Sequence, residues 1–400
     1  MLFPNLVETQ PKLADEIERI EEGGFLPQAL LFSGERGSSR LTAALDLSFH
    51  IMGKESKRDI LSSGNIIFFP KRKLSAMITC SLELFGKQKT RNARLFMLES
   101  VRKALMQYNG AIQSAYDAKA RSLFADAAEI DQALLDFEDD REYSDKEINA
   151  LIDFLRRKVT PSFLSKGKKS MSVSIDEIRA VKEWLSETGD EKIVIFENIE
   201  DSTEGAKNSL LKLLEEPDPN SHLILISQQP QRLLPTILSR VRKFNFPELS
   251  EENITSLISK KFSLYSKYKS FESFFFREGH GDDVNHEMDN AIKEFSDALS
   301  GKRILSLEEE EAMISFLDKT EGYSYFREEC SSMIEKEFRA GKMSAAKAMR
   351  IYRIFSTWQN SSDIFNLSQR MAIDLALREA SDVKSAFEEN TCRLFKLSIK

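Results

Sequence analysis

Short, wholly apolar runs alternate with amphipathic stretches along the chain as far as Pro247. Ala29 to Phe32, Ile66 to Phe69, Ile193 to Phe196 and Leu223 to Ile226 are each bounded by glycine, proline or polar residues, and predict buried strands. Lys243 to Phe246 predicts one more. Between them the spacing turns helical. Leu13 to Ile20 is amphipathic and stops at Gly23-Gly24, a helix follows the glycine turn at Gly34 and Gly37, and Asn208 to Leu214 lies in a helix that must end before Pro217. At Ser174-Ile175-Asp176-Glu177 the Ser-x-x-Glu spacing satisfies free amides at a helix start, and Ile178, Val181, Trp184 and Leu185 form its buried stripe. Strands alternating with helices predict an α/β fold: a parallel sheet with helices on both faces.

Two regions break the alternation. From about 75 to 169, Arg94 to Tyr108, Ile112 to Phe137 and Ile148 to Arg157 have helical spacing and read as an inserted helical bundle. Its middle is acidic (Asp136, Glu138, Asp139, Asp140, Glu142) and its end basic (Arg156, Arg157, Lys158, Lys166, Lys168, Lys169); both runs are expected to be solvated faces, with a binding surface the alternative. Beyond Pro247 everything reads as helix, starting at Ser250 with Glu251 and Glu252 in the first turn, where negative charge suits the helix dipole. Breaks are expected at Gly279-His280-Gly281 and Gly301, and a second Ser-x-x-Glu start at Ser306 to Glu309. Phe316, Tyr325, Met333, Phe338, Met349, Phe355 and Trp358 are the expected core. The pattern divides the chain into a sheet domain at 1–248, a small helical domain at 249–300 and a larger helical domain at 301–400.

With 41% hydrophobic and 10% aromatic residues, the 400-residue chain has ample material for ordinary cores. A formal charge of −7 argues against coating nucleic acid by bulk positive charge, so any DNA contact is local or shared with partners. Cys80, Cys330 and Cys392 lie far apart, without metal-site spacing, and read as reduced thiols of a cytoplasmic protein. His50, His222, His280 and His286 form no ligand spacing. No metal site is expected. No apolar run approaches membrane-spanning length, and the first residues lack a basic-then-apolar leader pattern.

Gly34-Glu35-Arg36-Gly37-Ser38-Ser39-Arg40-Leu41 occupies the place of a phosphate-binding loop, whose full form is G-x-x-x-x-G-K-[ST]. Ser39 stands for the second glycine, Arg40 for the lysine, and Leu41 for the hydroxyl that binds Mg²⁺. The alternatives are a connection that binds nothing and a helix start at which Arg40 holds an anion. Glu197-Asn198 ends the third strand where two acids would hold magnesium and orient water, and Asn198 cannot act as a base. Ser227-Gln228 ends the fourth strand. Ser239-Arg240 follows a short apolar helix, Leu233 to Leu238; the arginine either pairs with an acidic neighbour or is delivered to a phosphate elsewhere.

NSLLKLLEEP (Asn208 to Pro217), LLPTILSR (Leu233 to Arg240) and LPQALLFSGERG (Leu26 to Gly37) together resemble the bacterial DNA polymerase III clamp-loader subunits of the AAA+ superfamily. The resemblance covers Leu26 to Pro70 and Val173 to Pro247. It does not extend to the insertion, and the four-cysteine zinc module of many relatives is absent. It implies an AAA+ P-loop-type core followed by an all-helical lid and an all-helical C-terminal collar. The altered loop resembles the member that does not hydrolyse ATP. The family's Ser-Arg-Cys motif falls on Ser239, Arg240 and Val241, which implies an arginine finger, Arg240, acting on ATP-Mg bound by a neighbouring subunit. No cofactor is then expected on this chain. Ser227-Gln228 falls at the family's sensor position, where a simple strand-end polar pair is the alternative. The implied partners are the motor subunits, a delta-type subunit and, through the complex, the sliding clamp and primed DNA. Two rival readings are an ATP-hydrolysing motor of the gamma/tau kind and a helical interaction scaffold on an AAA+ core.

Overall fold

The computed structural model describes residues 6–24, 26–35, 37–53, 64–71, 74–166, 172–187, 189–349, 351–353, 355, 373 and 376–377. Arg36, Lys168, Lys169, Trp358 and Cys392 lie outside them. The chain divides into two compact units, one up to His280 and one from Gly281.

In the first unit the elements run α1 (Leu6–Thr9), α2 (Pro11–Glu22), β1 (Ala29–Gly34), α3 (Arg40–Ile51), β2 (Ile66–Phe69), α4 (Ser75–Gln88), α5 (Arg91–Leu105), α6 (Ala118–Leu135), α7 (Asp145–Lys158) and α8 (Pro161–Leu164). They continue with α9 (Ile175–Leu185), β3 (Lys192–Glu197), α10 (Glu204–Glu215), β4 (Ser221–Ser227), α11 (Pro235–Leu238), β5 (Arg242–Phe246), α12 (Glu251–Phe262) and α13 (Phe271–Gly279). The five strands form a wholly parallel sheet in the order β2-β3-β4-β1-β5. The central strands are buried on both faces, which is why they read as unbroken apolar runs. One core gathers Leu31, Val194, Phe196 and Leu225 under α9 and α10; the other gathers Phe32, Ile195, Ile226 and Phe246 under α2 and α3.

The inserted helices α4 to α8 build a third core, with Phe85, Met97, Val101, Ile130, Leu155 and Phe163 among its buried residues. They also seal the edge of the sheet. The β2 amide of Phe68 donates to the Met106 carbonyl at 3.3 Å, and Asn109 donates to the Gly64 and Ile66 carbonyls at 2.6 and 3.1 Å. An otherwise open edge strand is thus covered by the insertion.

The charged runs of the insertion are not simply solvated, contrary to expectation. Glu138 is buried against Arg102, and Asp140 pairs with Arg91 and Arg94. Lys166 is buried too: its ammonium lies 3.1 Å from Glu177 and about 5 Å from the ring centres of Phe69 and Tyr116. The bundle places basic side chains of one helix beneath the acidic run of a loop, a pairing invisible in the linear order.

The second unit holds α14 (Asp282–Leu299), α15 (Leu307–Thr320) and α16 (Tyr323–Arg339). Phe295 packs on Phe326 with ring centres 5.1 Å apart, and Phe316, Tyr325 and Phe355 are buried as expected. Phe338 and Met349 are exposed, which corrects their assignment to the core. Phe338 lies in the last turn of α16, beyond Ile334 where burial ends. Met349 is two residues from buried Ile351 and so turns to another face.

The helix start at Ser174 shows how one residue serves two purposes. Ser174 and Glu177 form the reciprocal cap, and the Glu177 carboxylate also takes Lys166 and the Tyr116 hydroxyl. Burial and the adjacent carboxylate push the Tyr116 pKa up, which keeps that hydroxyl a donor. Glu177→Ala, which takes the carboxylate away from a buried lysine and a buried hydroxyl, is expected to cost about 3–5 kcal/mol, and Ser174→Ala about 1 kcal/mol. Urea unfolding midpoints of the two variants check this ordering.

Candidate functional site at the carboxyl ends of the strands

Strands β3, β4 and β1 are neighbours and end on the same side, where open parallel sheets bind their ligands. The structure therefore brings three of the polar groups expected from sequence into one region: Gly34 to Leu41, Glu197-Asn198 and Ser227-Gln228.

Gly34 is required by close approach, because a Cβ there would lie 2.3 Å from the Phe246 carbonyl oxygen. Ser39 is held at φ 65, a left-handed conformation that glycine would adopt without strain. The loop between them closes on itself. The Glu35 carbonyl accepts from the Ser38 amide at 3.4 Å, the Ser38 hydroxyl at 2.7 Å and the Arg40 guanidinium at 3.0 Å. The other arm of Arg40 donates to the Ser227 carbonyl at 2.6 Å, and only 4% of Arg40 is exposed. Leu41 belongs to the core beside Leu30, Phe32 and Phe246.

A loop that grips Mg-nucleotide turns its amides and lysine toward phosphate oxygens and offers a hydroxyl to the metal. Here the Ser38 amide turns back to Glu35, both arms of Arg40 engage main-chain carbonyls, and position 41 has no oxygen. Phe271 of α13 lies over the loop, 3.6 Å from where a Cβ on Gly37 would stand. These residues do not fit a bound Mg-nucleotide.

At the end of β3, Glu197 accepts the Lys71 amide at 3.0 Å. Asn198 is left-handed, at φ 51, and opens a single tight turn, Ile199–Asp201. Its side-chain oxygen is buried with no hydrogen-bond partner among the described residues. That turn swings in a residue that sequence reasoning missed. Glu200, 3% exposed, accepts the Ser227 hydroxyl at 2.8 Å and the Gln228 and Gln229 amides at 3.1 and 3.3 Å. Its neighbour Asp201 pairs with Arg232 at 2.9 Å. Nothing in the spacing separates Glu200 from Asp201; both carboxylates are buried, Glu200 on the end of β4 and Asp201 on Arg232. Among the described residues no group of three or more His, Cys, Asp and Glu could hold a metal.

Arg240 stands apart from this cluster. It follows the one-turn helix α11, and its guanidinium donates to the Thr236 carbonyl at 2.7 Å and pairs with Glu215 at 2.7 Å. Glu215, the last residue of α10, was also missed, although it lies within the LLEEP stretch. The Arg240 side chain remains 33% exposed, and exposed Ser239 donates its hydroxyl to the Thr236 carbonyl at 3.1 Å.

A family model described as "DNA polymerase III, delta subunit" matches residues 115–250. Similar curated proteins include the DNA polymerase III subunit delta' of Bacillus subtilis, 41% identical over 87 residues, which are 21% of this chain and 26% of that protein. The delta' subunit of Pseudomonas aeruginosa is 44% identical over 71 residues, 17% of this chain and 22% of that protein. The tau subunit of Bacillus subtilis is 30% identical over 89 residues, 22% and 16% of the two chains. The matched stretch spans about a quarter or less of the length of these relatives. Over these stretches the chain is similar to subunits of DNA polymerase III, and its wholly parallel sheet with helical additions is an α/β fold. In those stretches the sequence is delta-prime-like.

The two arginines differ in what they hold together. Arg40→Ala removes two charge-assisted hydrogen bonds from main-chain carbonyls and is expected to cost about 2–4 kcal/mol. Arg240→Ala breaks an exposed pair and is expected to cost no more than about 1 kcal/mol. Equilibrium unfolding of both variants provides the comparison.

Proposed function

We propose that this chain is a clamp-loader subunit that does not itself hydrolyse ATP and that delivers Arg240 to ATP bound by an adjacent motor subunit. The observation that carries the reading is the opposite fate of the two arginines. Arg40, in the place of the phosphate-binding lysine, is buried on main-chain carbonyls of its own chain. Arg240 is partly exposed, braced by Glu215 and a backbone carbonyl. A cation so presented neutralises charge that develops on a transferring phosphoryl group. Glu215 and Thr236 would orient the guanidinium before a partner arrives, which lowers the entropy lost on engagement.

In this reading residues 249–300 occupy the place of the helical lid and 301–400 form the collar that joins the other subunits. The partners are the motor subunits and a delta-type subunit, and the assembly places a sliding clamp on primed DNA in the cytoplasm. Among the described residues no helix is long and apolar enough to cross a membrane. The gamma/tau-like alternative needs a loop open to phosphate, and the bonds from Arg40 to Glu35 and Ser227 oppose it.

Reconstitution with the cognate motor subunits tests the assignment. Arg240→Ala is expected to remove a large part of DNA-stimulated ATP hydrolysis, by about a hundredfold at the site it serves, while the complex still assembles by size-exclusion chromatography. Hydrolysis at the wild-type rate would remove the role in trans.

A further inference from the structure

We propose that the helical insertion, α4 to α8, is a brace that fixes α12 and α13 over the sheet, so that in this chain those two helices do not swing as a nucleotide-driven lid. The proposal rests only on packing within the unit ending at His280, and holds whether or not Arg240 acts in trans.

Four observations support it. First, α12 and α13 share one hydrophobic core with the insertion. Ile254, Ile258, Phe262, Tyr268 and Phe274 are buried in the same cluster as Phe85, Phe96 and Leu98. Phe96 of α5 lies 5.2 Å from Phe262 and 6.3 Å from both Phe274 and Phe275, ring centre to ring centre. Close-packed interiors of this kind do not slide continuously; they hold one arrangement or open altogether.

Second, the insertion supplies the polar ending of α12. Gln88 donates to the Phe262 carbonyl and Asn92 to the Lys261 carbonyl, both at 2.9 Å. These are carbonyls that a helix end leaves without partners of its own. Any swing of α12 would expose them.

Third, α13 meets α4 backbone to backbone. A Cβ added at Gly279 would lie 3.2 Å from the Cys80 amide nitrogen and 3.3 Å from its Cα. A side chain there is accommodated only if the neighbouring backbone gives by a few tenths of an ångström.

Fourth, the opposite end of the insertion is tied to the sheet. Met106 and Asn109 bond the backbone at β2, and Ile112, Tyr116 and Ala120 enter the core beneath it. The brace therefore runs from the sheet edge to α12 and α13 without a break. It closes on the site as well, since Phe271, the first residue of α13, lies against the loop at Gly37. The insertion thus holds in place, with side chains, helices that a bound nucleotide would otherwise have to position.

The Gly279/Cys80 contact provides the test. A Cβ at 279 would stand 3.5 Å from the Cys80 Cβ, within the span of about 3.5–4.5 Å that a disulfide requires. The Gly279→Cys chain, oxidised with excess diamide, is expected to link to Cys80, and the linked chain should support clamp-loader ATP hydrolysis as well as its reduced form. Activity lost on oxidation and restored by reduction would show that α13 must move against the insertion, and would overturn the brace. Equal inactivity of wild-type, reduced and oxidised chains would count against the proposed function alone. Hydrogen exchange on the isolated Phe274→Ala chain decides the brace independently, including when the link does not form. Amides of α4 and α5 are expected to exchange faster together with those of α12 and α13, by about tenfold or more. Acceleration confined to residues 251–279 would refute the proposal.

Discussion

A buried guanidinium must find acceptors, and at Arg40 it finds them in the chain itself. An unpaired charge at that depth would be prohibitive, so the side chain ties the Glu35 carbonyl in the loop to the Ser227 carbonyl at the end of β4. Two consequences follow. The loop after β1 is fastened to the adjacent strand without a ligand, and the cation that would have met a phosphate is committed elsewhere. Leu41 in the core and Asn198 at the end of β3 then carry no penalty for lacking the hydroxyl and carboxylate of a hydrolytic centre. Ser227 is the junction, bonded through its carbonyl to Arg40 and through its hydroxyl to Glu200.

The insertion extends the same logic to a larger scale. A lid that closes on nucleotide needs a weak, reversible contact with the sheet domain. Here α12 and α13 are instead buried in a core of their own with α4 and α5, and that core is anchored at β2. Loop and helices alike are held by interactions internal to the chain. In the proposed function the cation offered to an external phosphate is Arg240, beyond α11, held among the described residues by Glu215 and Thr236 with a long contact to Ser239.

Much of this was legible in the sequence, for identifiable reasons. Strands buried on both faces announce themselves as apolar runs, and the capping residues Ser174 and Ser306 mark helix starts because the geometry of the cap is local. The positions of Gly34, Arg40, Asn198, Ser227 and Arg240 followed from the order of elements. What lay hidden was everything that depends on encounters between distant segments. Glu200 meets Ser227 only once β3 and β4 are neighbours, and Glu215 meets Arg240 only once α10 and α11 are placed. The acidic run around Glu138 reads as solvated until α5 brings Arg94 and Arg102 beneath it. The packing of Phe96 on Phe262 joins residues too far apart in sequence for any periodicity to register.

The central claim is that this chain works on ATP held by another subunit and binds none productively itself. Calorimetric titration of the isolated chain with Mg-ATP, with phosphate release followed in parallel, tests it most directly. The account predicts no saturable binding tighter than about millimolar and no phosphate release. Micromolar binding accompanied by turnover would contradict it, since the bonds from Arg40 to Glu35 and Ser227 would then have to open to admit the nucleotide.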